Sequence, residues 1–136
     1  AMDWGWPMAD KTLSMRDELQ QLLLVAAGAV PGALLRWQLG AALHDRDVLA
    51  NVLGALILGL LLGLPCGPRL QLLIGVGFCG AFTTFSSWMV NSVDLISTGQ
   101  PWAAVGLIGL TFGLGLGGAA LGLLVGRALG RLTLRP

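Results

Sequence analysis

The stretch whose reading decides the fold is Gly75-Val76-Gly77-Phe78-Cys79-Gly80-Ala81-Phe82-Thr83-Thr84-Phe85-Ser86-Ser87-Trp88. It sits inside a long apolar segment, where an ordinary membrane helix carries Leu and Val. Gly75, Gly77 and Gly80 loosen the helix, and Thr83, Thr84, Ser86 and Ser87 follow at once. In hydrocarbon, polar side chains and freed backbone groups are costly unless protein buries them or they line a wet path. The stretch therefore reads as the permeation element of a small membrane channel.

Composition points the same way. The chain has 136 residues, of which 55% are hydrophobic and 11% charged, with a mean hydropathy of +0.79. A soluble domain averages roughly 25% charged residues, so a single domain this apolar belongs in a membrane. A net charge of +1, with no basic stripe among aromatics, excludes nucleic acid as a partner. Cys66 and Cys79 are too few for a disulfide framework and are expected to be unpaired. With one His, no nucleophile–base pair, no phosphate-binding glycine loop and no metal-ligand spacing, the chain is not expected to be an enzyme.

Outward from the central stretch, the chain divides into four apolar segments. Residues 1–21 form a polar N-terminal extension carrying Trp4, Trp6, Asp10, Lys11, Arg16, Asp17 and Glu18, without the pattern of a signal peptide. The first apolar segment runs from Leu22 to Leu43 and the second from Val48 to Leu64, up to the turn Pro65-Cys66-Gly67-Pro68. The third runs from Leu70 to Ile96 and the fourth from Trp102 to Val125. A span needs roughly 20 apolar residues, and only the second falls short. The expected fold is an all-α membrane protein with four transmembrane helices over residues 22–126, followed by a basic tail, 127–136. With four spans, Lys11, Arg16, Arg69, Arg127, Arg131 and Arg135 share one side, against Arg36 and Arg46 on the other. That bias puts both termini in the cytoplasm. Gly109-x-x-x-Gly113-x-x-x-Gly117, and Gly59 with Gly63, are spaced for close helix packing. Four short helices make a thin bundle, so oligomerisation is expected.

Several residues are candidates for chemistry. Asn51, early in the second helix, serves either a helix–helix hydrogen bond or an NH2 donor offered to an anion. Asp47 lies one turn earlier on the same face, at the interface, where a carboxylate can stay wet. Arg36, beside Trp37, either snorkels to the headgroups or raises the local anion concentration at a pore mouth. Phe78, Phe82, Phe85 and Trp88 are spaced for helix faces. Aromatic stripes commonly pack, yet a ring edge is positive. Ring edges beside Thr84, Ser86 and Ser87 can solvate a small anion without a fixed charge. A small multidrug exporter is the alternative four-helix reading, but it needs a carboxylate buried at mid-membrane, and Asp94 stands near the end of the third segment.

Gly28-x-x-x-Gly32-Ala33-x-x-Arg36-Trp37, then Leu49-Ala50-Asn51-Val52-Leu53-Gly54, then Gly77 to Trp88, together resemble the Fluc (CrcB) family of fluoride channels. The resemblance covers about Leu22 to Arg127. It implies passive fluoride export from the cytoplasm, an antiparallel dimer with two pores, a broken third helix and a structural sodium ion (Na+) at the centre. By position it implies a pore role for Asn51, Phe85, Ser86 and Ser87, and a place near the vestibule for Arg36. The sodium would rest on the backbone carbonyls of Gly80 and Thr83. Trp88 stands where the family has a second pore phenylalanine, and Asp47 where a threonine is common. The polar positions of the fourth helix fall on Gly106, Leu110 and Leu114, leaving Thr111 as its hydroxyl. These departures and the charge bias admit a heterodimer with one degraded pore beside the homodimer. The implied location is the cell inner membrane or plasma membrane, with several passes.

Overall fold

The structure, a computed structural model, describes residues 14–42 and 46–134. Every element among them is helical: α1 (Met15–Ala42), α2 (Arg46–Gly63), α3 (Pro68–Leu70), a π-helical segment (Gln71–Cys79), α4 (Gly80–Phe82), α5 (Ser86–Ser97) and α6 (Pro101–Thr133). No strand occurs among the described residues. Three helical stretches are long and apolar enough to cross a membrane: Met15–Gly40, Pro68–Ser97 and Pro101–Thr133. The remaining apolar helix, α2, has 18 residues, about 27 Å at the helical rise. That is slightly less than the roughly 30 Å of a hydrocarbon core.

Two helix ends lie further out than hydropathy places them. α1 starts at Met15 because Ser14 begins it: the Asp17 N–H donates to the Ser14 carbonyl at 2.8 Å and, at 3.4 Å, to Ser14 Oγ. Asp17 and Glu18 then stand in the first turn, where carboxylates offset the positive end of the helix dipole. α6 continues to Thr133, with Arg131 in its last turn, where a cation meets the negative end. The rest of the N-terminal extension and Arg135 lie outside the described residues. Between α5 and α6 the chain turns at Gly99, the one described residue with positive φ, at 82°. The Gly99 N–H reaches the Ile96 carbonyl and the Gln100 N–H the Leu95 carbonyl, which closes α5 with a Schellman turn. Pro101 then opens α6.

Packing is dominated by two pairs, α2 on α6 and α1 on the π-helical segment. Both depend on glycine. A Cβ on Gly77 would fall 2.5 Å from the Val25 carbonyl oxygen, and one on Gly32 2.5 Å from that of Phe78. On α6 the close approach uses Gly118, Gly122, Gly126 and Gly130, which meet α2 and its following turn at Val52, Leu56, Leu60 and Pro65. Gly59 and Gly63 answer from α2, as their spacing predicted. The expected run Gly109, Gly113 and Gly117 differs: a Cβ there meets nothing in this chain. The contact is one register further along, because α2 is short and faces the C-terminal half of α6.

The core is small. Ala50, Leu61, Cys79, Phe82, Trp88 and Ala104 are buried, while large apolar residues are exposed along all the long helices. That distribution suits a lipid solvent, since tails are as apolar as Leu. Trp37 and Trp102 are both exposed. Trp37 stands near the end of α1 and Trp102 at the start of α6. Cys66 and Cys79 are both free thiols, as expected.

Candidate functional site

The glycines of the central stretch act first through the backbone. Gln71–Cys79 winds as a π-helix for nine residues, a widened form seen mostly as single turns near functional sites. Thr83 Oγ1 donates to the Cys79 carbonyl at 2.9 Å. Helical geometry stops after Phe82, Thr83 is extended at ψ 158°, and α5 resumes at Ser86.

Asn51 holds this interruption. Its Nδ2 donates to the Thr84 carbonyl and its Oδ1 accepts the Thr84 N–H, both at 2.8 Å. A continuing helix would send that N–H to the Gly80 carbonyl. Diverted to Asn51, it leaves the Gly80 carbonyl out of the helical ladder. Of the two uses the sequence allowed for Asn51, the structure shows the cross-helix bond, made to backbone rather than to a side chain. One Nδ2 hydrogen is outside this pair of bonds. Arg36, exposed near the end of α1, donates through Nη1 to the Thr83 carbonyl at 3.3 Å. It therefore reaches inward to the interruption.

Arg36, Trp37, Asp47, Thr84, Ser86 and Ser87 share a cavity of about 440 Å³. Ser86 is exposed there. Ser87 is turned away from that use: its hydroxyl donates to Asp47 Oδ2 at 2.7 Å. Asp47 is 8% exposed, which corrects the expectation of a wet interfacial carboxylate. It also accepts from Asn91 Nδ2 at 3.2 Å. Thr84 Oγ1 lies 3.4 Å from the Ser87 N–H, a weak cap on α5.

The aromatics divide into two groups. Phe78 and Phe82 stack at 5.5 Å between centroids and pack. Phe85 is 66% exposed and meets the buried Trp88 edge-on at 5.2 Å. Trp88 in turn meets Phe112 of α6 edge-on at 5.9 Å. Phe112 was missed by sequence reasoning, since nothing near it in a glycine-rich helix marks its partner. Thr111 gives its hydroxyl to the Leu107 carbonyl at 2.7 Å, so α6 offers no free hydroxyl from that position.

For a cation, the interruption offers the carbonyls of Gly80 and Thr83, hard oxygen donors of the kind small cations take. They fit in chemical type, but the Thr83 carbonyl already accepts from the Arg36 guanidinium, whose charge opposes a second cation beside it. Two oxygens are few for a full shell, and Gly80 is exposed. No cluster of His, Cys, Asp and Glu suited to a metal occurs among the described residues.

The comparisons with known proteins agree with one another. The family described as "CrcB-like protein, Camphor Resistance (CrcB)" matches residues 23–123. A protein of Synechococcus sp. (strain CC9902), named Fluoride-specific ion channel FluC 2, is 63% identical over 89% of this chain and 90% of its own. Another of that name, from Prochlorococcus marinus (strain MIT 9313), is 58% identical over 88% of this chain and 92% of its own. A protein named Fluoride-specific ion channel FluC 1, from a second strain of Prochlorococcus marinus, is 43% identical over 67% of this chain and 69% of its own. With the family matched from α1 into α6 and relatives this similar along most of their length, the chain belongs to the CrcB family.

Proposed function

We propose that this multi-pass membrane protein is a fluoride-specific ion channel that lets fluoride leave the cytoplasm passively. The observation that carries the reading is the 63% identity over 89% of the chain with a protein named as such a channel. The geometry supports it. The polar cavity at the helix interruption has Arg36 at its edge, where a fixed positive charge raises the local anion concentration. Beyond it stand the hydroxyls of Thr84 and Ser86, the remaining amide hydrogen of Asn51 and the exposed edge of Phe85. Together they replace part of the ion's hydration. Trp88 backs Phe85 and fixes the direction of its ring.

In this reading the interruption at Thr83–Phe85 is the broken third helix of the channel, and the short α2 is its second span. The working unit is an antiparallel dimer. Support comes from the 66% exposure of Phe85 and from the glycine-lined face of α6, open at Gly106, Gly109 and Gly113. A wall completed by a second subunit would cover both. The homodimer is the simpler form. Relatives named FluC 1 and FluC 2, with the charge bias between the two sides, support a heterodimer as the second reading. A sodium ion, when bound, supplies a fixed positive charge that favours an anion nearby. The Gly80 and Thr83 carbonyls of both subunits would hold it. The membrane is the cell inner membrane or plasma membrane.

Purified protein in liposomes, followed with a fluoride electrode, tests the function. Fluoride efflux above empty liposomes is expected, for the chain alone or with a second family member. Absence of efflux in both preparations overturns the reading.

A further inference from the structure

Asp47 has no part in the channel reading, yet its position gives it one. It lies in the first turn of α2, one turn before Asn51, and is 8% exposed. Ser87 and Asn91 stand one turn apart on α5 and both donate to the same oxygen, Asp47 Oδ2, at 2.7 and 3.2 Å. The carboxylate also separates two cavities. One, of about 440 Å³, it shares with Arg36, Ser86 and Ser87. The other, of about 310 Å³, it shares with Trp88, Asn91 and Asp94.

A serine hydroxyl has one proton to donate. Given to a carboxylate, that proton makes a charge-assisted bond, roughly twice as strong as a neutral one. It is then not offered to a passing anion. The carboxylate also places a negative charge in the cavity where Arg36 places a positive one, so the two oppose each other in gathering anions.

We infer that Asp47 is a positioning residue that limits conduction: a built-in anion that competes with fluoride for the Ser87 hydroxyl and the Asn91 amide. The inference rests on the channel reading above. A purely structural tie between α2 and α5 is the competing account, and the two differ in sign. If Asp47 only ties helices, removing its charge weakens the channel or leaves it unchanged. If it competes with fluoride, removing its charge strengthens conduction.

The test is liposome efflux of Asp47→Asn and Asp47→Thr beside the wild-type chain, over a range of fluoride concentrations. Asparagine keeps an acceptor for Ser87 and so protects the fold. Threonine releases the Ser87 proton. Both variants are expected to conduct faster, Asp47→Thr by about tenfold or more, the factor of a hydrogen bond to a charged group. The fluoride concentration for half-maximal efflux should fall in both, a change that a helix tie does not produce. Adding Ser87→Ala to Asp47→Thr should remove the gain. Wild-type efflux with no gain in either Asp47 variant overturns the inference alone. Absence of efflux in every preparation overturns the channel reading and the inference with it.

Discussion

Replacing Asn51 by Leu isolates the contact that holds the helix interruption. Leucine has similar bulk and makes neither bond to Thr84. Two hydrogen bonds of 2.8 Å are lost, and the half-buried Thr84 N–H and carbonyl lose their partners. Hydrogen bonds inside membrane proteins average about 0.6 kcal/mol in double-mutant cycles, which sets a floor of about 1 kcal/mol for the pair. Leaving a buried donor or acceptor unmade costs about 1–3 kcal/mol each, which sets a ceiling several times higher. The expected loss is therefore about 2–4 kcal/mol. Leucine recovers little of it, because an apolar side chain gains little by leaving lipid for protein. Two measurements check this. Thermal unfolding in detergent should show the global loss. Hydrogen exchange should show the local one: the Thr84 amide, protected in the wild type, should exchange at least about tenfold faster, since about 1.4 kcal/mol is a factor of ten. Wild-type protection at Thr84, with stability unchanged within about 0.5 kcal/mol, refutes the reasoning.

Phe85→Ile should separate function from stability. The ring is 66% exposed, so stability should stay within about 1 kcal/mol while fluoride efflux falls; unchanged efflux would remove Phe85 from the anion path. Phe112→Leu deletes the edge contact to Trp88 and should cost about 0.5–1.5 kcal/mol beyond lost area, read by thermal unfolding; an unchanged unfolding temperature would refute the contact's role. Gly122→Val drives a side chain into the Leu56 carbonyl. It should weaken the α2–α6 pair by about 1–3 kcal/mol or more, and an unchanged unfolding temperature would refute the glycine contact.

The apolar segments were legible because hydropathy is a property of each residue alone, and the loops between them carry Pro, Gly and charge. The helix ends were less so. Met15–Gln21 and the residues after Arg127 are polar enough to read as tails, yet Ser14 and the acidic first turn let α1 start early, and Arg131 suits the end of α6. The glycine contact was legible as a spacing but not in register, because register depends on where the shorter α2 lies along α6. At the site, Asn51 was legible as an amide that needs a partner. Its partner was not, because the partner is backbone that becomes available only where the helix stops. The Asp47–Ser87 bond joins residues 40 apart in sequence. No local pattern encodes that pairing, so both residues were assigned roles one at a time.

The clamp on Thr84 has a consequence for biogenesis. Asn51 and Thr84 are 33 residues apart in the chain, and α2 is synthesised first. Until the Pro68–Ser97 stretch arrives, the amide in α2 has no Thr84 to meet, and α2 is the shortest of the apolar helices. α2 is thus the apolar helix least able to settle in the bilayer alone. Its stable insertion is expected to be coupled to that of the span that follows, so that the pair enters as a hairpin and the interruption sets only after both are in place.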